Sequence, residues 1–262
     1  MPPYQKIKLR RDRDAKTCPT CGFPIRVVRR GGGSADHYEF LTDFDMDDAL
    51  AHEDPEIAEQ HKKDREGKRT LAMVGRSPAS CALAPWEDES VEIWSLNETH
   101  ASPWFMRWNR WFQMHPWEIL TREEDQRGIR GHYEWLQQDH GNGIYMLHQY
   151  LEFPNSVEYP LNRVRERFFR GKIWKGDQEA QQLGSTFDYM MALALLEDRF
   201  DRIEIYGFDM AAESMKLAGY VYQKPGALFW LGVANGLDIE IYTPPDNQLF
   251  SAPLYGYQWY PK

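Results

Sequence analysis

The chain has 262 residues, of which 42% are hydrophobic, enough for a sizeable core and too many for a disordered chain. Its net charge of −9 excludes a general nucleic-acid coat, which is strongly basic. Three cysteines exclude a disulfide framework and suit a reducing, cytoplasmic compartment, and no run reaches the roughly 18 apolar residues of a membrane span.

Met1–Gly33 carries nine basic residues against two acidic, and Ser34–Arg69 twelve acidic against five basic. RRGGGS (Arg29–Ser34) reads as the joint between them. The N-terminus lacks the apolar stretch of a secretory signal. We take residues 1–69 as an appendage and 70–262 as the main domain. TCPTCG (Thr17–Gly22) presents Cys18 and Cys21 as half of a structural zinc knuckle; His37, His52, His61, Cys81 or a second chain would complete it. The plainer alternative is an accidental pair. DFDMDD (Asp43–Asp48) lacks the glycine of a Ca²⁺ loop and reads as the solvated start of an acidic helix around Asp47–Arg65.

From Thr70 short apolar runs alternate with helical spacing. Strands are predicted at TLAMVG (Thr70–Gly75), VEIWSLN (Val91–Asn97), RWFQMHP (Arg110–Pro116), GIYMLHQY (Gly143–Tyr150), RIEIYGFD (Arg202–Asp209) and IEIYTPP (Ile239–Pro245). Helices are predicted at LNRVRERFF (Leu161–Phe169), at the apolar STFDYMMALALLEDRF (Ser185–Phe200), and at PGALFWLGVANGLD (Pro225–Asp238), closed by Gly236. The segment Ser214–Gly226 before it reads as a loop. This alternation predicts an α/β, Rossmann-like fold: a mostly parallel sheet with helices on both faces. In such sheets ligands sit beyond the carboxyl ends of the strands. The residues ending these strands are therefore the candidates: Gly75 with Ser77, Asn97, His115, and Gly207 with Asp209. Trp104, Trp108, Trp111 and Trp117 lie among arginines, where they stack on bases or sugars or simply pack a core. Arg163, Arg165, Arg167 and Arg170 share a helix and suit a solvated face or an acidic acceptor.

The ordered set GRSPAS (Gly75–Ser80), WSLNE, FQMHP, STFDYMMALALL and IEIYGFDM resembles the motifs of bacterial sialyltransferases that use CMP-sialic acid. A closer resemblance is to uncharacterised phage-encoded proteins with a YGFDMA…YxYQKP pattern. The sialyltransferase resemblance covers roughly Thr70–Tyr242 and implies a glycosyltransferase-like enzyme with a nucleotide-sugar donor. It implies that Gly75 and Ser77 approach phosphate or ribose, with Arg76 in the same turn, and that Asn97 binds the nucleotide. Ser185, Thr186 and Gly207 stand at other nucleotide-contacting positions. Arg76 replaces the family's Asn, Phe187 its Gly, and His115 stands where it has Asn. The family's catalytic histidine is missing from SMKLAGYVYQKPG, which offers Tyr220, Tyr222 and Lys224 instead. Asp209 or His115 is then the candidate base, and Lys224, Arg76, Tyr220 and Tyr222 the groups for a leaving phosphate. The acceptor stays open among phage-type DNA, glycan and small molecule, and a homo-oligomer is compatible. The alternative is a catalytically inactive nucleotide-binding or interaction module of phage type.

Overall fold

The computed structural model describes residues 16–17, 24–28, 37–40, 55–121, 131–171, 173–208, 210, 220–245, 247 and 249–250. A small antiparallel sheet joins β1 (Lys16–Thr17), β2 (Pro24–Val28) and β3 (His37–Phe40) in that order. Helix α1 (Pro55–Arg65) follows. The main sheet has seven strands: β4 (Thr70–Val74), β5 (Glu92–Leu96), β6 (Arg110–Gln113), β7 (Ile144–Met146), β8 (Ser156–Glu158), β11 (Arg202–Tyr206) and β12 (Glu240–Tyr242). Their order is β12-β11-β4-β5-β6-β7-β8, and every neighbouring pair is parallel. The fold is α/β and Rossmann-like. A two-stranded hairpin, β9 (Trp174–Lys175) with β10 (Gln178–Glu179), stands apart.

The two faces of the sheet follow the two-residue period of a strand. Leu71, Met73, Trp94, Leu96, Phe112, Ile203 and Ile205 face one side. There they pack on α5 (Leu161–Phe168), α6 (Thr186–Glu197) and α7 (Tyr220–Gly236) through Val164, Met190, Met191, Trp230 and Leu231. The intervening residues Ala72, Val74, Ile93 and Tyr206 face the other side, against Cys81, Ala84, Trp86 and Trp104. Trp111, Ile144 and Met146 continue that side and meet Leu120, Leu136 and Phe153. Short helices α2 (Pro78–Cys81), α3 (Trp117–Leu120) and α4 (His132–Leu136) supply Cys81, Leu120 and Leu136, and connecting segments supply the rest. Strands β4 and β11 are buried along their whole length, as central parallel strands are.

Helix α6 is buried over most of its circumference and starts on a capping box. The Ser185 hydroxyl accepts from the Asp188 N–H at 3.3 Å, and the Asp188 carboxylate accepts from the Ser185 N–H at 3.0 Å. Asp198, in a left-handed conformation, ends it.

Helix α7 corrects one expectation. It begins at Tyr220, so Tyr220–Gly226 is helix and not the end of a loop, and Pro225 lies inside it. An interior proline removes one N–H and costs about 3 kcal/mol. Burial of Ala227, Trp230, Leu231 and Ala234 against α6 and the sheet offsets that cost. Gly226 lets the helices meet: a side chain there would lie 2.6 Å from the Asp188 carboxylate.

Candidate functional site

The chain runs from β4 outward through β5, β6, β7 and β8, then crosses back to place β11 on the other side of β4. The boundary between β4 and β11 is the topological switch point, where open parallel sheets bind ligands. Because each long helix runs back against the strands, the first turns of α6 and α7 lie at the same carboxyl edge.

The turns leaving β4 and β11 are clasped. The Gly75 N–H donates to the Tyr206 carbonyl at 2.8 Å, the Ser77 N–H to the Gly207 carbonyl at 2.9 Å, and the Gly207 N–H to the Ser80 hydroxyl at 2.8 Å. A Cβ on Gly75 would sit 2.5 Å from the Gly207 carbonyl oxygen, and one on Gly207 2.5 Å from that of Gly75. Gly207 also has φ +71°. The close approach at Gly207 is thus to Gly75, and the other strand-end candidates follow along the same edge.

The strand register gathers those groups. Val74 pairs with Ser95 and Leu96 with Phe112, so Arg76, Asn97 and Gln113 follow one another across the ends of β4, β5 and β6. A guanidinium nitrogen of Arg76 lies 4.0 Å from the Glu98 carboxylate, both side chains largely buried. Asn97 has φ 49°, unusual for a residue with a side chain, and its Oδ1 is buried with no hydrogen-bond partner. Ser77 precedes α2 without capping it through its hydroxyl. His115, half-buried, places Nδ1 3.3 Å from the Gln113 amide nitrogen.

Two histidines that the sequence reading did not select join this edge. His100 follows β5 in the 3-10 turn Asn97–Ala101, and His132 opens α4. His100 Nε2 and His132 Nδ1 are 2.9 Å apart, sharing one proton-mediated bond. The His100 ring also lies flat on Trp135, with centroids 4.3 Å apart and planes within 1°. Burial, then Arg76 and His140, pull the His100 imidazole down to about 4. Burial, then His100, His115 and Arg76, pull His132 down to about 3. Both rings are therefore neutral near pH 7. His100 stands three residues after Asn97, a proximity visible in the sequence, whereas nothing in the spacing links either residue to His132.

The remaining candidates divide. Ser185 spends its hydroxyl on the α6 cap, and Thr186, the first residue of that helix, is half-buried. Lys224 is half-buried in the first turns of α7, the helix that also carries the backbone of Tyr220 and Tyr222. Asp209, Cys18, Cys21 and Asp43–Asp48 lie outside the described residues. Phe187 is buried and packs on Phe208 at 4.8 Å, covering the end of β11. Trp104 and Trp111 are core, while Trp108 and Trp117 are half-buried around them. Arg163, Arg165, Arg167 and Arg170 are exposed. Among the described residues no group of three or more His, Cys, Asp or Glu is placed to hold a metal ion, and no helix is long and apolar enough to cross a membrane.

Fold and site define a Rossmann-like α/β protein with polar groups gathered at the switch-point edge. No protein-family model and no curated protein matches the chain. Among solved structures, the sialyltransferase CstII from Campylobacter jejuni, in complex with the substrate analogue CMP-3FNeuAc, is similar over 67% of this chain and 79% of that chain, at 14% identity and a TM-score of 0.38.

Proposed function

We propose that the protein is a glycosyltransferase-like enzyme that takes a group from a nucleotide-activated sugar. One observation carries the reading: Asn97 holds a strained backbone and a buried, unpartnered Oδ1 at a strand end beside the switch point. Strain and an unsatisfied buried acceptor both disfavour folding, and strained backbone of this kind clusters at active sites and ligand clamps. The order of motifs along the chain supports the same assignment, since Arg76, Ser77, Asn97 and His115 end successive parallel strands.

In this reading Asn97 binds the nucleoside, while Arg76 and Ser77 face phosphate. The acceptor hydroxyl attacks the sugar's anomeric carbon, forming a C–O bond as the bond to phosphate breaks. The phosphate leaves with the electron pair, and Arg76 and Lys224 offset its charge. His115 or Asp209 takes the hydroxyl proton. Tyr220 and Tyr222 lie on the helix that approaches the leaving group. The donor is a nucleotide sugar, and the acceptor remains open among DNA, glycan and small molecule.

Phe187 favours a second reading. Its ring fills the space over β11 against Phe208, which suits a module that binds nucleotide over β4–β6 without transferring a group.

A thermal-shift panel of nucleotides and nucleotide sugars tests the first step. Protection by at least one, lost in Asn97→Ala, is expected; no shift with any of them refutes both readings. Release of free nucleotide on adding candidate acceptors then separates enzyme from module.

A further inference from the structure

Three buried polar atoms at this edge lack a partner: Asn97 Oδ1, Gln113 Oε1 and His132 Nε2. The strand register and the contacts of His132 place these three residues at one end of the sheet. Asn97 and Gln113 each lie one position beyond Leu96–Phe112, the last pair between β5 and β6. Gln113 points to the same sheet face as Trp111 and Met146, two residues away and directly paired respectively. His132 packs on that face: it bonds His100, and the His100 ring lies 6.0 Å from Trp111. Gln113 is 1% exposed and His132 9%, so water does not readily satisfy either.

We infer that Gln113 and His132, together with Asn97, form a subsite for the uncharged, hydroxyl-bearing ring of a ligand, not for its phosphate. The atom types decide the class. Two of the three are amide oxygens, which only accept hydrogen bonds. A phosphate dianion brings acceptors alone and would meet them with repulsion, whereas vicinal hydroxyls donate and accept. The third atom, on a neutral imidazole, serves a hydroxyl in either tautomer. The site is also rigid, because the His132 bond and the flat stack on Trp135 fix the His100 ring. Ribose and a free pyranose both present this chemistry. The inference rests on reading the carboxyl edge as the ligand site, and it assigns the ring to β5–β6 while the phosphate lies toward Arg76.

The test is calorimetry and thermal shift on the full chain with uridine, cytidine, adenosine, guanosine, free hexoses, inorganic phosphate and pyrophosphate. At least one uncharged compound is expected to bind, and a nucleoside hit or a hexose hit distinguishes the source. Gln113→Leu and His132→Gln should each weaken that binding by about tenfold or more, the range of a lost buried hydrogen bond. Gln113→Leu should fold with an unchanged or higher melting temperature, since it deletes an unsatisfied buried oxygen. Should it not fold, His132→Gln and the selectivity of the unmodified chain decide alone. Binding of phosphate or pyrophosphate with no uncharged ligand overturns the inference, as does binding indifferent to both substitutions. Nucleotide sugars lost on Asn97→Ala but not on Gln113→Leu would sink the subsite and leave the proposed function standing. Hexoses bound through Gln113, with every nucleotide rejected, would do the reverse.

Discussion

Gly75 and Gly207 touch backbone to backbone: the carbonyl oxygen of each lies 2.5 Å from where the other's Cβ would be. They lie more than a hundred residues apart in sequence, yet their contact closes the turn that follows β4 over the turn that follows β11. Neither partner is the tip of a flexible side chain, so neither yields without moving a central strand.

Gly75→Ala and Gly207→Ala are therefore expected to destabilise by more than about 3 kcal/mol, or to prevent folding. Gly207 adds the penalty of its left-handed φ. Gly67 is the internal control, because it shares a positive φ of 73° but has nothing within 4 Å of a built Cβ. Gly67→Ala should lose only about 1 kcal/mol. Urea denaturation measures all three, and equal losses at Gly67 and Gly207 would refute the packing argument.

A second contact bears on where the main unit begins. Arg65, at the end of α1, donates from Nε and Nη2 to both oxygens of Glu204, at 2.9 Å each. Glu204 is fully buried on β11 and also accepts from Arg202 and Tyr206. Burial alone would raise its carboxyl, but Arg65, then Arg202 and Tyr206, hold it below the usual range. Arg65→Met leaves that carboxylate short of its bidentate partner and should cost about 3–5 kcal/mol. A chain starting at residue 70 should show the same loss, and one starting at residue 55 should not. Equal melting temperatures for the two truncations would place α1 with the appendage.

The sequence made the centre of the sheet legible for a physical reason. Strands β4, β5, β6 and β11 are short, largely buried runs that stop at a glycine or a polar residue, and parallel pairing brings those stops to one edge. Helix α6 announces itself by its apolar length. Strand β8 escapes notice because Ser156–Glu158 is three residues with a single apolar side chain. The start of α7 is hidden because Pro225-Gly226 reads locally as a turn, and only packing on α6 overrides that. At the site, Asn97 and His115 were readable as strand ends. The Gly75–Gly207 contact and the His100–His132 bond were not, because both join distant segments and no spacing encodes them.

The histidine pair predicts an acid limit. Burial, then Arg76 for His100 and His100 itself for His132, keep the folded imidazoles near 4 and 3, while an unfolded histidine titrates near 6.5. Between those values the unfolded chain binds more protons. Stability from the pair is thus complete above about pH 6.5 and is lost as pH falls through the folded values. Melting temperature should drop from pH 7 to pH 5, and the drop should shrink in the double variant His100→Phe, His132→Leu. An unchanged slope would show that the two rings do not titrate with folding.

Asp188 predicts the opposite slope. Its carboxyl is fully buried, one oxygen accepts from the Gly184 and Ser185 N–H groups, and the other has no partner. Burial raises it to about 6 despite those backbone bonds. Here the folded state binds the extra proton between the unfolded value near 3.9 and about 6. The favourable protonated form is complete below pH 4 and lost as pH rises through 6, so the ionised acid is a liability at neutral pH. Asp188→Asn keeps an acceptor for the α6 cap and removes that charge. It should match the parent near pH 4 and exceed it above pH 6.5, by about 1–3 kcal/mol for a shift of this size. Denaturant titrations at the two pH values separate this from a lost cap, which would make the variant weaker at both.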